Sequence, residues 1–421
     1  MKASVSPSIL SGNLDANPSK SAMQRAVAAA LLATGSSKIY NPSPSDDCVA
    51  ALQVAERLGA KILYKEDHIE IRGKGIHPVE DTVNCGEAGL GIRMFTPLVA
   101  LSDQKISIQA KGSLQNRPMD FFEQVLPQLG VYCKTLDGKP PLQVQGPLQA
   151  RDIEIDGSLS SQFLTGLLMA YGAVGRDVTI TVHQLTSRPY IQLTLDVMQH
   201  FGVEVLQQDM EKFYFGAKQA YQPREYRVEG DWSGAAFLLV AGALGGQVQV
   251  GGLKMDSAQS DIAIVEALKT AGAKVTLLSD GLRVEKGALE AFEFDATQCP
   301  DLFPPLVALA AQCKGITRIW GAERLTHKES NRSEALKEEF KKLGIAIEVE
   351  GDLMRIYGGS GIQGGRVHSH FDHRIAMACA VAAICAAAPI EIEEAQAVNK
   401  SYPEFWEHLK TLGGEVTLSN S

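Results

Sequence analysis

Apolar and polar positions along this chain fall into two interleaved series, each repeated six times at nearly constant spacing. In the first, an amphipathic run closes on a glycine and passes into a β-rich segment: AERLGAKI at Gly59, LPQLGVYC at Gly130, MQHFGVEV at Gly202, LKTAGAKV at Gly272, FKKLGIAI at Gly344 and LKTLGGEV at Gly413. These glycines are 71, 72, 70, 72 and 69 residues apart. A glycine there lets a helix leave through a left-handed residue into a strand. In the second series Lys20, Gly89, Ser161, Ser233, Asp301 and His373 are spaced by 69, 72, 72, 68 and 72 residues. Each stands in or just before a nearly uncharged segment such as RAVAAALLA, AAFLLVAGAL or IAMACAVAAI. Such segments suit helices buried on all sides, while the glycine-terminated runs carry Lys, Glu and Gln on one face and suit solvent-facing partners.

One α/β unit of about 70 residues is therefore used six times. It is larger than common solenoid repeats, and three units per compact domain expose less surface than a linear array. The predicted fold class is mixed α/β, with two domains of three units: residues 20–229, and residues 1–19 plus 230–421. The segment before Lys20 has no unit of its own and is expected to pair back with the second domain. Asn13 to Pro18 and Gly230 to Trp232 are then the two crossings of a hinge.

With 421 residues and 45% apolar content the chain can bury large cores. Its net charge of −9 argues against nucleic acid as a main partner. The seven cysteines are odd in number and form no CxxC pair, so neither a disulfide framework nor a thiolate metal site is indicated, and a reducing cytoplasm fits. No segment reads as a signal peptide or a membrane span.

Chemistry enters at the helix starts. Lys20-Ser21, Gly86-Glu87-Ala88-Gly89, Ser160-Ser161-Gln162 and Asp372-His373-Arg374 precede buried helices. Arg117-Pro118, Ser187-Arg188-Pro189-Tyr190, Lys328 to Arg332 and Lys400-Ser401-Tyr402-Pro403 precede exposed ones. A helix N-terminus offers unpaired N–H groups and a partial positive charge, so cations and hydroxyls added there build anion sites. Several such sites imply a ligand with several anionic groups. Lys20-Ser21 lacks the preceding glycine of a phosphate-binding P-loop. His368-Ser-His370-Phe-Asp372-His373 spells the HxHxDH of dizinc hydrolases, but only 48 residues follow, with His408 their single histidine, and the Asp-His-Arg opens the sixth buried helix.

Ten motifs in order carry a resemblance. They are PSKSxxxR at Pro18 to Arg25, GxAGxxxR at Gly86 to Arg93, NRP at Asn116, DGSLSSQFLTGLLM at Asp156 and SRPYIQLTL at Ser187. EGDWS at Glu229, CPDLFP at Cys299, HKESNR at His327, DHR at Asp372 and KSYP at Lys400 complete the set. Over residues 10 to 415 the chain resembles the 5-enolpyruvylshikimate-3-phosphate synthase family. The resemblance implies two domains, each of three α/β units about a pseudo-threefold axis, with the active site in the inter-domain cleft. It implies transfer of the enolpyruvyl group of phosphoenolpyruvate to shikimate 3-phosphate, by a cytoplasmic monomer with no metal or organic cofactor.

Carried over motif by motif, the resemblance places Lys20, Ser21, Arg25, Ser160, Ser161, Gln162, Ser187, Asp301 and Lys328 on shikimate 3-phosphate. It places Lys20, Gly89, Arg117, Gln162, Arg332, Arg374 and Lys400 on phosphoenolpyruvate, and gives proton handling to Asp301 and Glu329, with Lys20 assisting. The residue types suit the task, because two polyanions repel one another and need several fixed cations, and arginine binds phosphate and carboxylate bidentately. Three positions depart from the family pattern: Glu87 replaces Asn and Leu90 replaces Thr in the glycine loop, and Arg324 stands where Asn is common. Glu87 either points away from the anion site or pairs with Arg93. The related UDP-N-acetylglucosamine enolpyruvyl transferases share the chemistry, but DGSLSSQF and SRPY favour shikimate phosphate.

Overall fold

The computed structural model describes residues 1–326 and 328–420. The chain forms two compact units, one of Met1–Asn17 with Glu229–Ser421, the other of Pro18–Val228. Among the described residues each unit holds three four-stranded sheets, all six with the same order of pairings, one parallel and then two antiparallel.

The module from Ile153 to Phe215 shows the pattern. Strand Ile153–Asp156 leads through inner helix Ser161–Val174 to the parallel strand Val178–His183, with Ile153 opposite Ile180. Outer helix Arg188–His200 follows, and a hairpin, Leu206–Gln208 with Lys212–Phe215, closes antiparallel on Val178–His183. Three modules borrow strands from distant sequence. Glu225–Arg227 supplies the parallel partner of Thr34–Tyr40, and Leu10–Asp15 that of Gly246–Gly251. The hairpin of the sixth module pairs Glu415–Ser419 with the N-terminal strand Lys2–Ser6, which also pairs with Ile390–Glu393. The first seventeen residues thus complete two sheets of the later unit.

The inner helices are Lys20–Leu32, Gly89–Val99, Ser161–Val174, Trp232–Gly245, Phe303–Gln312 and His373–Ala383. Their composition decides their place: Trp232 to Leu244 are all buried, and each fully buried Leu, Val or Phe adds about 1.5–3 kcal/mol. Small residues let the helices touch through backbone. A Cβ on Gly166 would lie 2.6 Å from the carbonyl oxygen of Arg93 and 2.7 Å from that of Met94. Polar caps fix four of the starts: Ser19 accepts from Ala22 N–H, Ser160 from Gln162, Asp231 from Ser233 and Asp372 from Arg374.

All six glycines of the outer series have positive φ, from 76° at Gly130 to 106° at Gly59, as the left-handed exit requires. The second outer segment is shorter than its pattern predicts, Phe121–Val125 followed by a 3₁₀ turn Leu126–Leu129, because Pro127 supplies no N–H to continue the α-helical ladder. Among the described residues no helix is long and apolar enough to cross a membrane.

Candidate functional site

Cations placed at helix N-termini oppose the helix dipole, a cost that a neighbouring anion offsets. On the Pro18–Val228 unit Lys20 opens its inner helix and its Nζ lies 2.9 Å from Oδ2 of Asp47, in the first turn of outer helix Asp46–Arg57. Arg25, one turn further on, is 1% exposed. Its Nε donates to Thr194 Oγ1 at 2.8 Å, Nη1 to the Ser21 carbonyl at 2.8 Å and Nη2 to the Tyr190 carbonyl at 3.2 Å. Burial lowers its pKa to about 10, still charged at neutral pH. Nη2 also donates to Thr165 Oγ1 at 3.4 Å, so Arg25 ties together the three segments that carry Ser21, Ser161 and Ser187.

Ser161 begins the inner helix beside the capping Ser160, and Ser187 is buried in a left-handed conformation, φ 51°, ahead of Arg188. Gln162 accepts from Arg93 Nη1 at 2.8 Å, and the Arg93 guanidinium lies 4.9 Å from the Phe163 ring centre, so the starts of Gly89–Val99 and Ser161–Val174 meet. Gly89 leaves room for Arg117: a Cβ there would fall on the guanidinium Nη1. The Glu87 carboxylate lies against Gly112 and accepts the Ser113 N–H at 3.3 Å.

The other unit concentrates charge more tightly. Asp301, in the 3₁₀ turn Pro300–Leu302, accepts from Arg332 Nη1 at 2.7 Å, Arg374 Nη2 at 3.1 Å and Lys328 Nζ at 3.3 Å. Arg332 also donates Nε to Asp372 at 2.8 Å and Nη2 to Glu329. Burial alone would raise the Asp301 carboxyl, but Arg374, Lys328 and Arg332 outweigh it and hold it well below the usual carboxylate range. Burial lowers Lys328 to about 8 against the pull of Asp301. Lys400 Nζ donates to the Phe371 carbonyl at 2.7 Å. Arg324 donates to the Thr297 carbonyl, bracing the stretch that leads to Asp301. His327 lies outside the described residues.

The HxHxDH spelling sends its side chains to different partners: His370 Nε2 to Glu339 at 2.7 Å, Asp372 to Arg332. Ligand atoms of Glu338, Glu339 and His370 lie within 4.8 Å of one another, but Lys342 Nζ already sits 2.8 and 2.9 Å from the Glu339 oxygens. A metal there would have to displace that ammonium.

Sequence reasoning missed two acids. Asp47 reads as an ordinary first-turn acid, with nothing in the sequence to tie it to Lys20. Asp261, fully buried and bonded to the Ser233 hydroxyl, is raised to about 6 by burial and by the charge of Asp301. An aspartate among apolar neighbours before the fourth outer helix was its one available signal.

Six modules with one order of strand pairing, three in each unit, with cation clusters at the helix starts, define an enolpyruvyl transferase fold. A solved structure of the enolpyruvyl transferase NikO from Streptomyces tendae is similar with TM-score 0.78 and 18% identity, covering 99% of this chain and 98% of that one. An EPSP synthase from Acinetobacter baumannii is similar with TM-score 0.83 and 25% identity, over 99% of this chain and all of that one. Curated relatives described as 3-phosphoshikimate 1-carboxyvinyltransferase, from Clostridium novyi and Clostridium perfringens, are each 36% identical. They cover 97% and 98% of this chain and the same shares of their own lengths. Residues 5–409 match the family described as EPSP synthase (3-phosphoshikimate 1-carboxyvinyltransferase), and the chain belongs to that family.

Proposed function

We propose that the protein carries out the reaction of its family: the enolpyruvyl group of phosphoenolpyruvate passes to the 5-hydroxyl of shikimate 3-phosphate, and phosphate leaves. The groups of the two half-sites act on one substrate pair. Ser160, Ser161, Ser187, Gln162, Ser21, Arg25 and Lys20 hold shikimate 3-phosphate, with Arg25 also tying together the segments that present them, and Lys328 and Asp301 complete its set. Lys20, Arg117, Gln162, Arg332, Arg374 and Lys400 surround phosphoenolpyruvate, with Gly89 giving Arg117 its place. The enzyme works as a cytoplasmic monomer without metal.

The observation that carries this reading is Asp301 held by three cations. A carboxylate so stabilised is a weak base in the free enzyme. When the phosphate and carboxylate groups of the substrates draw Arg374, Arg332 and Lys328 toward themselves, Asp301 loses its counter-charges and its proton affinity rises. It then accepts the proton of the 5-hydroxyl as that oxygen attacks C2 of phosphoenolpyruvate, while an acid supplies a proton to the methylene carbon to make a methyl group. Collapse expels phosphate as the methyl group gives a proton back to the conjugate base of that acid, re-forming the double bond and leaving the enol ether. Glu329 and Lys20 serve the methylene side. Water excluded from the site strengthens each of these interactions.

Phosphate release from phosphoenolpyruvate tests the reaction. Turnover is expected with shikimate 3-phosphate as acceptor and none with UDP-N-acetylglucosamine; turnover with the sugar nucleotide alone would overturn the proposal.

A further inference from the structure

The turn that leads into the last inner helix is strained, and a buried acid on the neighbouring outer helix holds it. His370 and Phe371 are consecutive non-glycine residues with φ of 54° and 55°. Left-handed residues of that kind persist only where their surroundings over-determine them. The surroundings here are one face of outer helix Arg332–Lys342. Glu339, fully buried on that helix, accepts the backbone N–H of His368 at 2.9 Å and His370 Nε2 at 2.7 Å. Two turns earlier on the same helix, Arg332 holds Asp372. Between these anchors the His370 N–H donates to His368 Nδ1 at 2.8 Å, and Ser369 Oγ donates to the Glu394 carbonyl at 2.9 Å. The carbonyl that emerges from the strained pair, Phe371 C=O, is the acceptor of Lys400 Nζ at 2.7 Å.

We infer that Glu339 and His370 are positioning residues for phosphoenolpyruvate: they lock the Ser369–Asp372 turn so that Phe371 C=O aims Lys400 and Asp372 aims Arg332. The inference rests on the placement of Lys400 and Arg332 around phosphoenolpyruvate proposed above. The bond is strongest when His370 is an imidazolium against the Glu339 carboxylate. The groups facing that ring are Glu339, Glu338 and Lys342 on the helix and His368 on the preceding strand. The Glu339 bond raises the His370 pKa above its ordinary value, and Glu338 adds to this while burial and Lys342 oppose it. The lock is therefore tightest below that raised value, as long as Glu339 stays ionised, and loosens as pH rises through it.

The test compares Glu339→Gln, His370→Gln and Lys400→Met with the unaltered protein, reading kcat and KM for each substrate from about pH 6 to about pH 9. Glu339→Gln and His370→Gln are expected to raise KM for phosphoenolpyruvate roughly tenfold, the low end of what losing an orienting partner costs. KM for shikimate 3-phosphate should stay within about twofold. His370→Gln should also abolish the rise of phosphoenolpyruvate KM with pH that the unaltered protein shows beyond it. If Lys400→Met raises that KM but neither other variant does, the lock is refuted while the placement of Lys400 stands. If Lys400→Met leaves it unchanged, the placement fails and the inference with it. Should Glu339→Gln not fold, His370→Gln, at a partly exposed position, decides alone.

Discussion

Replacing Asp301 by asparagine keeps the side chain's shape and removes its charge, which separates two roles that a larger change would blur. Three cations converge on that carboxylate at 2.7, 3.1 and 3.3 Å. Breaking a buried ion pair from one side costs about 3–5 kcal/mol. Here the carboxylate side chain is 22% exposed, and Arg332 keeps Asp372 and Glu329, so about 2–3 kcal/mol is the expected loss. For a unit of this size that lowers the melting temperature by roughly 4–12 °C. The effect on turnover is larger. Loss of a general base typically costs 10²–10⁴-fold, and kcat should fall by about that factor. Phosphoenolpyruvate KM should not rise, because Arg332 and Arg374 no longer share their charge with a competing carboxylate. Both substrates together should restore most of the lost melting temperature, since their anionic groups refill the gap. Phosphate-release kinetics and a thermal melt read all three. A variant that keeps kcat within about tenfold, or whose phosphoenolpyruvate KM climbs as steeply as kcat falls, would refute the reasoning.

Gly89→Ala places a methyl on Arg117 Nη1, and since a guanidinium can swing aside, KM for phosphoenolpyruvate should rise about tenfold with kcat far less changed; an unaltered KM counts against Arg117 as a ligand. Lys328 has a folded pKa of about 8, below the unfolded value of about 10.4, so the unfolded chain binds the extra proton between those values. Stability from this group therefore increases as pH rises through that window, and Lys328→Met should remove that increase in pH-dependent melts. In the active protein, KM for shikimate 3-phosphate should rise above about pH 8 and lose that dependence in Lys328→Met. Gly166→Val forces two inner helices apart at the Arg93 and Met94 carbonyls, and should cost about 1–3 kcal/mol or more in a denaturant titration; a neutral result would mean the helices can separate freely.

The repeat was legible because its signals are local. A helix leaving into a strand needs a left-handed residue, and Gly59, Gly130, Gly202, Gly272, Gly344 and Gly413 all supply one. The inner helices were legible because almost no charge interrupts them. Strand exchange was only partly so: nothing local in Lys2–Ser6 says that it completes a hairpin with Glu415–Ser419, a pairing set by closure of the whole unit. Site candidates showed as cations and hydroxyls at helix starts, a placement that costs stability unless an anion is bound. Their partners did not show. Asp47 lies 27 residues from Lys20, and Glu339 resembles any acid on an amphipathic helix until His368 and His370 are found upon it.

The proposal that residues of both units act on a single pair of anions is tested most directly by small-angle scattering. Adding shikimate 3-phosphate, and then phosphoenolpyruvate, should lower the radius of gyration, with Ser161→Ala blunting the change at a fixed ligand concentration. A radius that stays constant under saturating amounts of both substrates, in protein shown to turn them over, would contradict it.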